Sequence, residues 1–290
     1  MVSVLVTGAK GQLGSELQRI SGDYPGMIFH YTDIEELDIT NREAVKEFLD
    51  ENPVHFLVNC AAYNAVDKAE DEPELAMLIN ATAVENLAKE SSNRNIQLIH
   101  ISTDYVFNGE NNYPYLADDP VNPATVYGKT KLEGENAVQK AGKGIIIRTS
   151  WLYSVFGNNF VKTILRISRE KERLKVVFDQ TGSPTNARDL AGVILEMINR
   201  DQGEGHNPRF DVYHYANNGI CSWYEFAEEI IDLSGTDCIV EAVESKDFPT
   251  RAVRPRYSVL NKDKIQVDYP IGIPHWKDSL RSCITELGNK

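Results

Sequence analysis

Aliphatic and β-branched residues gather into short runs at 2–6, 27–31, 54–58, 96–101 and 144–147, each the length of a buried strand. Longer stretches at 43–50, 74–90 and 125–139 repeat their apolar residues at helical spacing. This alternation predicts a parallel sheet covered by helices on both faces, and right-handed crossovers make it a doubly wound, Rossmann-type α/β fold. After Trp151 the rhythm loosens. Helices are predicted at 160–169 and 189–198, strands at 174–177 and 212–215, and a further helix after Ser222 as N-cap. Pro249, Pro255, Pro270 and Pro274 then punctuate a loop-rich stretch before a last helix at 277–285.

The 290 residues are 42% hydrophobic and 25% charged, enough for a large core with a smaller unit appended. The net charge of −13 repels phosphate backbones and anionic lipid surfaces, so neither nucleic acid nor a membrane is an expected partner. Cys60, Cys221, Cys238 and Cys283 are far apart and form no C-x-x-C pair, which predicts reduced thiols. The first residues lack the basic stretch and long apolar run of a secretion signal, and the expectation is a cytoplasmic protein.

The first chemical signal is Gly8-Ala9-Lys10-Gly11-Gln12-Leu13-Gly14, set between an apolar strand and an amphipathic segment. Glycines there allow a tight turn and let backbone N–H groups approach a pyrophosphate at a helix N-terminus. A dinucleotide site is therefore expected at Gly8, Gly11, Gln12, Leu13 and Gly14. Asp33, after the second strand, can accept hydrogen bonds from an adenosine ribose and would repel a 2′-phosphate, which tilts the coenzyme toward NADH. Asp38, beside Ile39, is a second acidic candidate, or it starts the helix at Asn41. Ala61, Ala62 and Tyr63 follow the third strand, and Asn80 lies in the helical stretch after it; all four join the expected cofactor set.

Tyr127-Gly128-Lys129-Thr130-Lys131 places a phenol and an ammonium one helical turn apart on one face. The ammonium, assisted by an oxidised nicotinamide ring, is expected to lower the phenol pKa toward the working range for proton transfer. Thr103, in a Ser-Thr pair ending the fourth strand, would hold a carbonyl oxygen against that phenol. The organisation that follows is a dinucleotide-binding domain over 1–150, with 185–216 returning to it, and a smaller, discontinuous α/β substrate domain built mainly from 151–290.

Taken together, the glycine loop, Ser102-Thr103-Asp104-Tyr105-Val106-Phe107 and the Tyr127/Lys131 pair resemble the extended short-chain dehydrogenase/reductase family. The segments 61–70, 148–153, 159–161 and 179–185, with Arg254-Pro255, are similar to its dTDP-4-dehydrorhamnose reductase branch. That resemblance implies an NADH- or NADPH-dependent reduction of the C4 ketone of dTDP-4-dehydro-β-L-rhamnose to dTDP-L-rhamnose. It implies that Thr103 orients the ketone, Tyr127 protonates the developing alkoxide, and Lys131 holds the nicotinamide ribose. Val66, Asp67, Asp104 and Trp151 would meet the substrate, and Arg254 the nucleotide diphosphate.

Some members of the branch are magnesium-bridged homodimers. Glu16 matches one metal-holding glutamate; Asp189 and Glu286 are the other carboxylates on offer, and the complete set is not evident. Glu16 otherwise reads as an exposed helix residue, so Mg2+ and a homodimer both stay open. Two other readings remain: a nucleotide-sugar epimerase or dehydratase, and a regulatory subunit resembling that of methionine adenosyltransferase. His30, His55, His100, His206, His214 and His275 show no ligand spacing and receive no catalytic or metal role. The loop 108–115 reads as a flexible flap, Trp223 and Tyr224 as packing residues, and the acidic residues 70–72 as the solvated start of a helix.

Overall fold

The computed structural model describes residues 1–203 and 207–288; His206 lies outside the described residues. Strands β1 (Val2–Thr7), β2 (Met27–Thr32), β3 (Phe56–Asn59), β4 (Gln97–Thr103), β5 (Gly144–Thr149) and β6 (Phe210–His214) form one sheet in the order β6-β5-β4-β3-β1-β2. Every pairing in it is parallel. The chain adds β2 on one side of β1 and then β3 on the other, so a crevice opens beyond the carboxyl ends of β1 and β3.

Alternate side chains explain why both faces are covered. Val4, Val6, Val58, Ile99, Ile145 and Ile147 pack under the helices Gln12–Ile20 and Ala187–Asp201. Leu5, Leu57, Leu98 and Ile146 pack on the other face against Arg42–Glu51, Ala83–Asn93 and Val138 of the helix Val126–Ala141. A separate hydrophobic cluster joins the helices Phe160–Ser168, Trp223–Ser234 and Trp276–Gly288 to a parallel strand pair, Arg173–Val177 with Ile239–Val243. Ser222 opens its helix with a full capping box to Glu225. No helix among the described residues is long and apolar enough to cross a membrane.

Several elements differ from the sequence reading. Ile239–Val243 is an unexpected strand, and the proline-rich end holds a short helix, Asp263–Asp268. The far end of the 108–115 loop is held down: Tyr115 stacks on Phe107 at 4.1 Å, and its N–H donates to the Val259 carbonyl. The helix expected over 74–90 is divided into Pro73–Met77, a π-helical turn at Leu78–Thr82, and Ala83–Asn93. Asn80 sits in that turn, fully buried, and its carbonyl oxygen presses on Gly134 of the neighbouring helix. A β-carbon at Gly134 would lie 2.3 Å from that oxygen, so the two helices approach this closely only because the side chain is missing. Gly134→Ala is expected to lower stability by about 1–3 kcal/mol in urea titration despite the better helix propensity of alanine.

Candidate active site

Three glycines do different work in the turn after β1. Gly8 has φ +68°, and a β-carbon there would lie 2.6 Å from the Ala61 nitrogen; one on Gly14 would lie 2.5 Å from the Gly8 carbonyl oxygen. Both serve close chain packing. At Gly11 a β-carbon would meet only the Gly8 oxygen, at 3.2 Å, and the residue faces the cleft. Gly11 caps the helix Gln12–Ile20 without any side-chain acceptor, so the first helical N–H groups are left for an anion.

From this turn the cleft runs two ways. One arm, about 370 Å³, passes Gly8, Asp33, Asp38, Ile39, Ala61 and Ala62. Asp33 accepts the Lys10 N–H at 2.9 Å, tying β2 to the glycine turn, while the Lys10 ammonium pairs with Glu35 and Glu36. Asn41 is the N-cap of the next helix, and Asp38 instead holds the turn at Thr40. The other arm, about 330 Å³, holds Gln12, Leu13, Thr103, Asp104, Tyr127 and Lys131. The arms meet over Gly11, Cys60, Ala62 and Asn64, and each has the volume of a small-ligand pocket. An elongated ligand with an anionic middle fits this shape.

Thr125 starts the helix Val126–Ala141 by accepting the Gly128 N–H at 3.0 Å, and Glu70 accepts the Val126 N–H at 2.9 Å. The acidic segment 70–72 is therefore more than a solvated helix start: Glu72 takes the Tyr63 phenol and Asp71 pairs with Arg251. One turn apart, Tyr127 and Lys131 lie against the end of β4. Thr103 and Tyr127 line the same arm of the cleft, with the Thr103 hydroxyl donating to Asp104 at 3.0 Å, and Lys131 Nζ donates to the Ile101 carbonyl at 2.7 Å.

The expected lowering of the Tyr127 pKa is not found in the ligand-free chain. Burial raises it well above the ordinary phenol range and outweighs the opposing pull of the nearby Thr103 hydroxyl. Burial also pulls Lys131 down to about 8 against the opposing pull of Glu135 and Cys60, and pushes Asp104 up to about 6. The arrangement holds a proton on the phenol, which is the state a general acid needs.

A third and larger cleft, about 1000 Å³, opens between this site and the second cluster, sharing Asn64, Val66, Tyr105, Trp151 and Leu152 with it. Trp151 has φ +49°, a strained value for a bulky residue, and stacks on Trp223 at 3.6 Å. Gly182 makes room for that ring: a β-carbon there would lie 2.7 Å from Trp151 Cε2. Trp223 thus backs the site residue and lines the larger cleft itself, a role that its helix-start position did not signal. Arg254 donates to Asp67 and, at 3.2 Å, to the Tyr105 hydroxyl, so the two expected substrate contacts hold each other across the mouth of the cleft. Asn80 and Tyr63 stand behind the cleft. Asn80 accepts the Tyr63 N–H at 2.8 Å and donates to the Thr130 hydroxyl at 3.1 Å, bracing the loop after β3 against the helix Val126–Ala141.

The model of the RmlD substrate binding domain family matches residues 2–289. The chain belongs to this family. It is 39% identical to the spore coat polysaccharide biosynthesis protein SpsK of Bacillus subtilis, over 99% of this chain and 98% of that protein. Its fold superposes with a TM-score of 0.93 on a dTDP-4-dehydrorhamnose reductase of Clostridium acetobutylicum, at 42% identity, covering 99% of this chain and 100% of that one. A dTDP-4-dehydrorhamnose reductase of Bacillus anthracis solved in complex with NADP gives 0.91 at 37% identity, with the same coverage.

Of the carboxylates considered for a metal, Glu16 and Glu286 stand against one arginine, Arg19, at 3.8 and 2.5 Å, and Asp189 is held by other partners. Glu16 is buried rather than exposed, accepts the Ser154 hydroxyl at 2.6 Å, and has its pKa raised by burial. Asp189 spends its carboxylate on Asn217 and Ser279, while Glu286 pairs with Arg19 and stands 3.9 Å from Arg188. Arg19 lies between Glu16 and Glu286 where a cation would have to sit, although the Glu16 Oε2 has no hydrogen-bond partner, and the described residues include no group of three or more metal-ligating side chains. These residues do not fit a magnesium ion. Exhaustive chelation is expected to leave both turnover and the melting temperature unchanged, as read by coenzyme absorbance and thermal unfolding; a loss restored by Mg2+ would contradict this.

Proposed function

We propose that the chain reduces the C4 ketone of dTDP-4-dehydro-β-L-rhamnose to dTDP-L-rhamnose with a nicotinamide coenzyme. The observation that carries this reading is Thr103, Tyr127 and Lys131 meeting where a glycine-turn cleft joins a larger cleft gated by Trp151 and Arg254. The reduced coenzyme, when bound, supplies the hydride. The open face at Gly11, the free helix N-terminus and the acceptor at Asp33 suit its pyrophosphate and adenosine ribose.

Thr103 would hold the ketone oxygen against the Tyr127 phenol. As hydride reaches the carbonyl carbon, the phenol O–H gives its proton to the oxygen, and the alcohol forms with one proton taken up from water overall. Lys131 fixes the floor beneath that exchange. Arg254 would leave Asp67 for the diphosphate, and Trp151 would bound the sugar. Asp33 with Glu35 and Glu36 favours NADH; NADP in the Bacillus anthracis relative supports acceptance of NADPH as well.

A dehydratase would need a second carboxylate beside Asp104, where this chain has Tyr105, its ring edge-on to Tyr127 at 5.5 Å. A purely regulatory role leaves the intact Thr103–Tyr127–Lys131 set without a use. Mixing the protein with NADH and dTDP-4-dehydrorhamnose is expected to bleach the nicotinamide absorbance one for one with ketone, and NADPH is expected to serve with a higher KM. Tyr127→Phe should cut kcat by about 10²–10⁴-fold while coenzyme still binds. Normal turnover by that variant, or no oxidation of either coenzyme by the parent protein, would refute the assignment.

A further inference from the structure

Behind Lys131, on the side away from the cleft, lies a hydrogen-bonded chain that the reaction as described does not use. Asn59 Oδ1 accepts the Ala61 N–H at 3.2 Å and the Thr7 hydroxyl at 2.8 Å. A backbone N–H can only donate, so the atom it meets is the amide oxygen, and the Asn59 NH2 group is the one facing His100 Nδ1 at 3.1 Å. His100 is wholly buried and held neutral by that burial. Its single ring proton must therefore sit on Nε2, which stands 3.5 Å from Lys131 Nζ.

We propose that His100 is a positioning residue for Lys131: the N–H that Asn59 imposes on Nε2 meets the amine from behind, holds it under the cleft, and eases release of its proton. This rests on the reductase reading of Tyr127 and Lys131.

The physical logic is a contest at one nitrogen. The Ile101 carbonyl accepts an N–H from Lys131 in either protonation state. The Nε2–H of His100 is repelled by an ammonium and welcomed by the lone pair of an amine, so it disfavours the charged form. The other groups around Lys131 are the Cys60 thiol after β3, Tyr127 and Glu135 on its own helix, and Arg148 of β5, whose guanidinium is spent on Glu135 at 2.7 Å. Of these, Glu135 and Cys60 favour the ammonium and burial opposes it, and the Nε2–H of His100 would act on the side of burial. An amine that exchanges its proton near neutrality can restock the phenol: the ammonium gives a proton to the Tyr127 phenolate, and the amine that is left regains one from water entering the cleft after product has gone. The same chain reaches Thr7, next to Gly8, so the glycine turn and the amine share one buried support.

Two measurements test this on the whole protein without substrate or coenzyme. Nitrogen NMR of the imidazole should show His100 neutral, with Nδ1 bare and Nε2 protonated; a proton on Nδ1 would overturn the proposal. Asn59→Asp keeps an acceptor for Thr7 and Ala61, but its new carboxylate takes the ring proton to Nδ1 and leaves Nε2 as an acceptor facing Lys131. The Lys131 pKa, followed by NMR of its ε-methylene, should then rise by about one unit or more. The alkaline limb of kcat should move up with it. A folded Asn59→Asp protein with an unmoved Lys131 titration would also overturn it. Because the titration needs no turnover, its outcome is separable from Tyr127→Phe, which tests the reductase reading itself.

Discussion

The amine of Lys131 is shut off from bulk water, and the Ile101 carbonyl 2.7 Å away makes that burial tolerable. An ammonium left without such a partner would cost several kcal/mol, so the helix that carries it can dock on β4 at only one height and one rotation. That docking puts Tyr127 against Thr103. Glycines make it sterically feasible: a β-carbon at Gly128 would lie 2.2 Å from the Tyr105 carbonyl oxygen, and one at Gly134 would strike Asn80. Each glycine costs the helix about 1 kcal/mol in propensity, a price consistent with a contact that positions chemistry.

Burial then sets the protonation states. With water excluded, the phenol keeps its proton and the lysine loosens its hold on its own, so acid and reservoir differ from their free counterparts in opposite directions. Asp104, beside Thr103, is pushed toward neutrality by the same desolvation. The site is a floor at which protons are held back from solvent. Its two approaches, a glycine-lined arm and an aromatic cleft, meet at Asn64, with Asp67 and Arg254 paired beside the larger cleft.

Much of this was legible in the chain because the signals are local. A glycine turn between strand and helix, and a phenol four residues from a lysine, need only their own spacing to be read, and the sheet follows from alternating strand and helix runs. Long-range pairings were not legible. Asp67 meets Arg254 across 187 residues, and no local pattern announces it. Glu16 reads as exposed because its helix is amphipathic, yet Ser154, distant in sequence, covers it. The π-helical turn at Asn80 depends on Gly134 of another helix, and His100 looks like an ordinary apolar-strand histidine until Asn59 and Lys131 are seen on either side. The upward shift of the Tyr127 pKa in the chain alone has a related cause: spacing shows the nearby lysine but not the depth of burial.

The central claim is that Thr103, Tyr127 and Lys131 form the floor on which a carbonyl meets a nicotinamide. A crystal structure with oxidised coenzyme and dTDP-L-rhamnose tests it most directly. The account predicts the sugar C4 carbon about 3–3.5 Å from the nicotinamide C4 carbon, with the C4 oxygen within hydrogen-bond reach of both Thr103 and the Tyr127 phenol. A nicotinamide ring or a sugar oxygen seated well away from Tyr127 would contradict it.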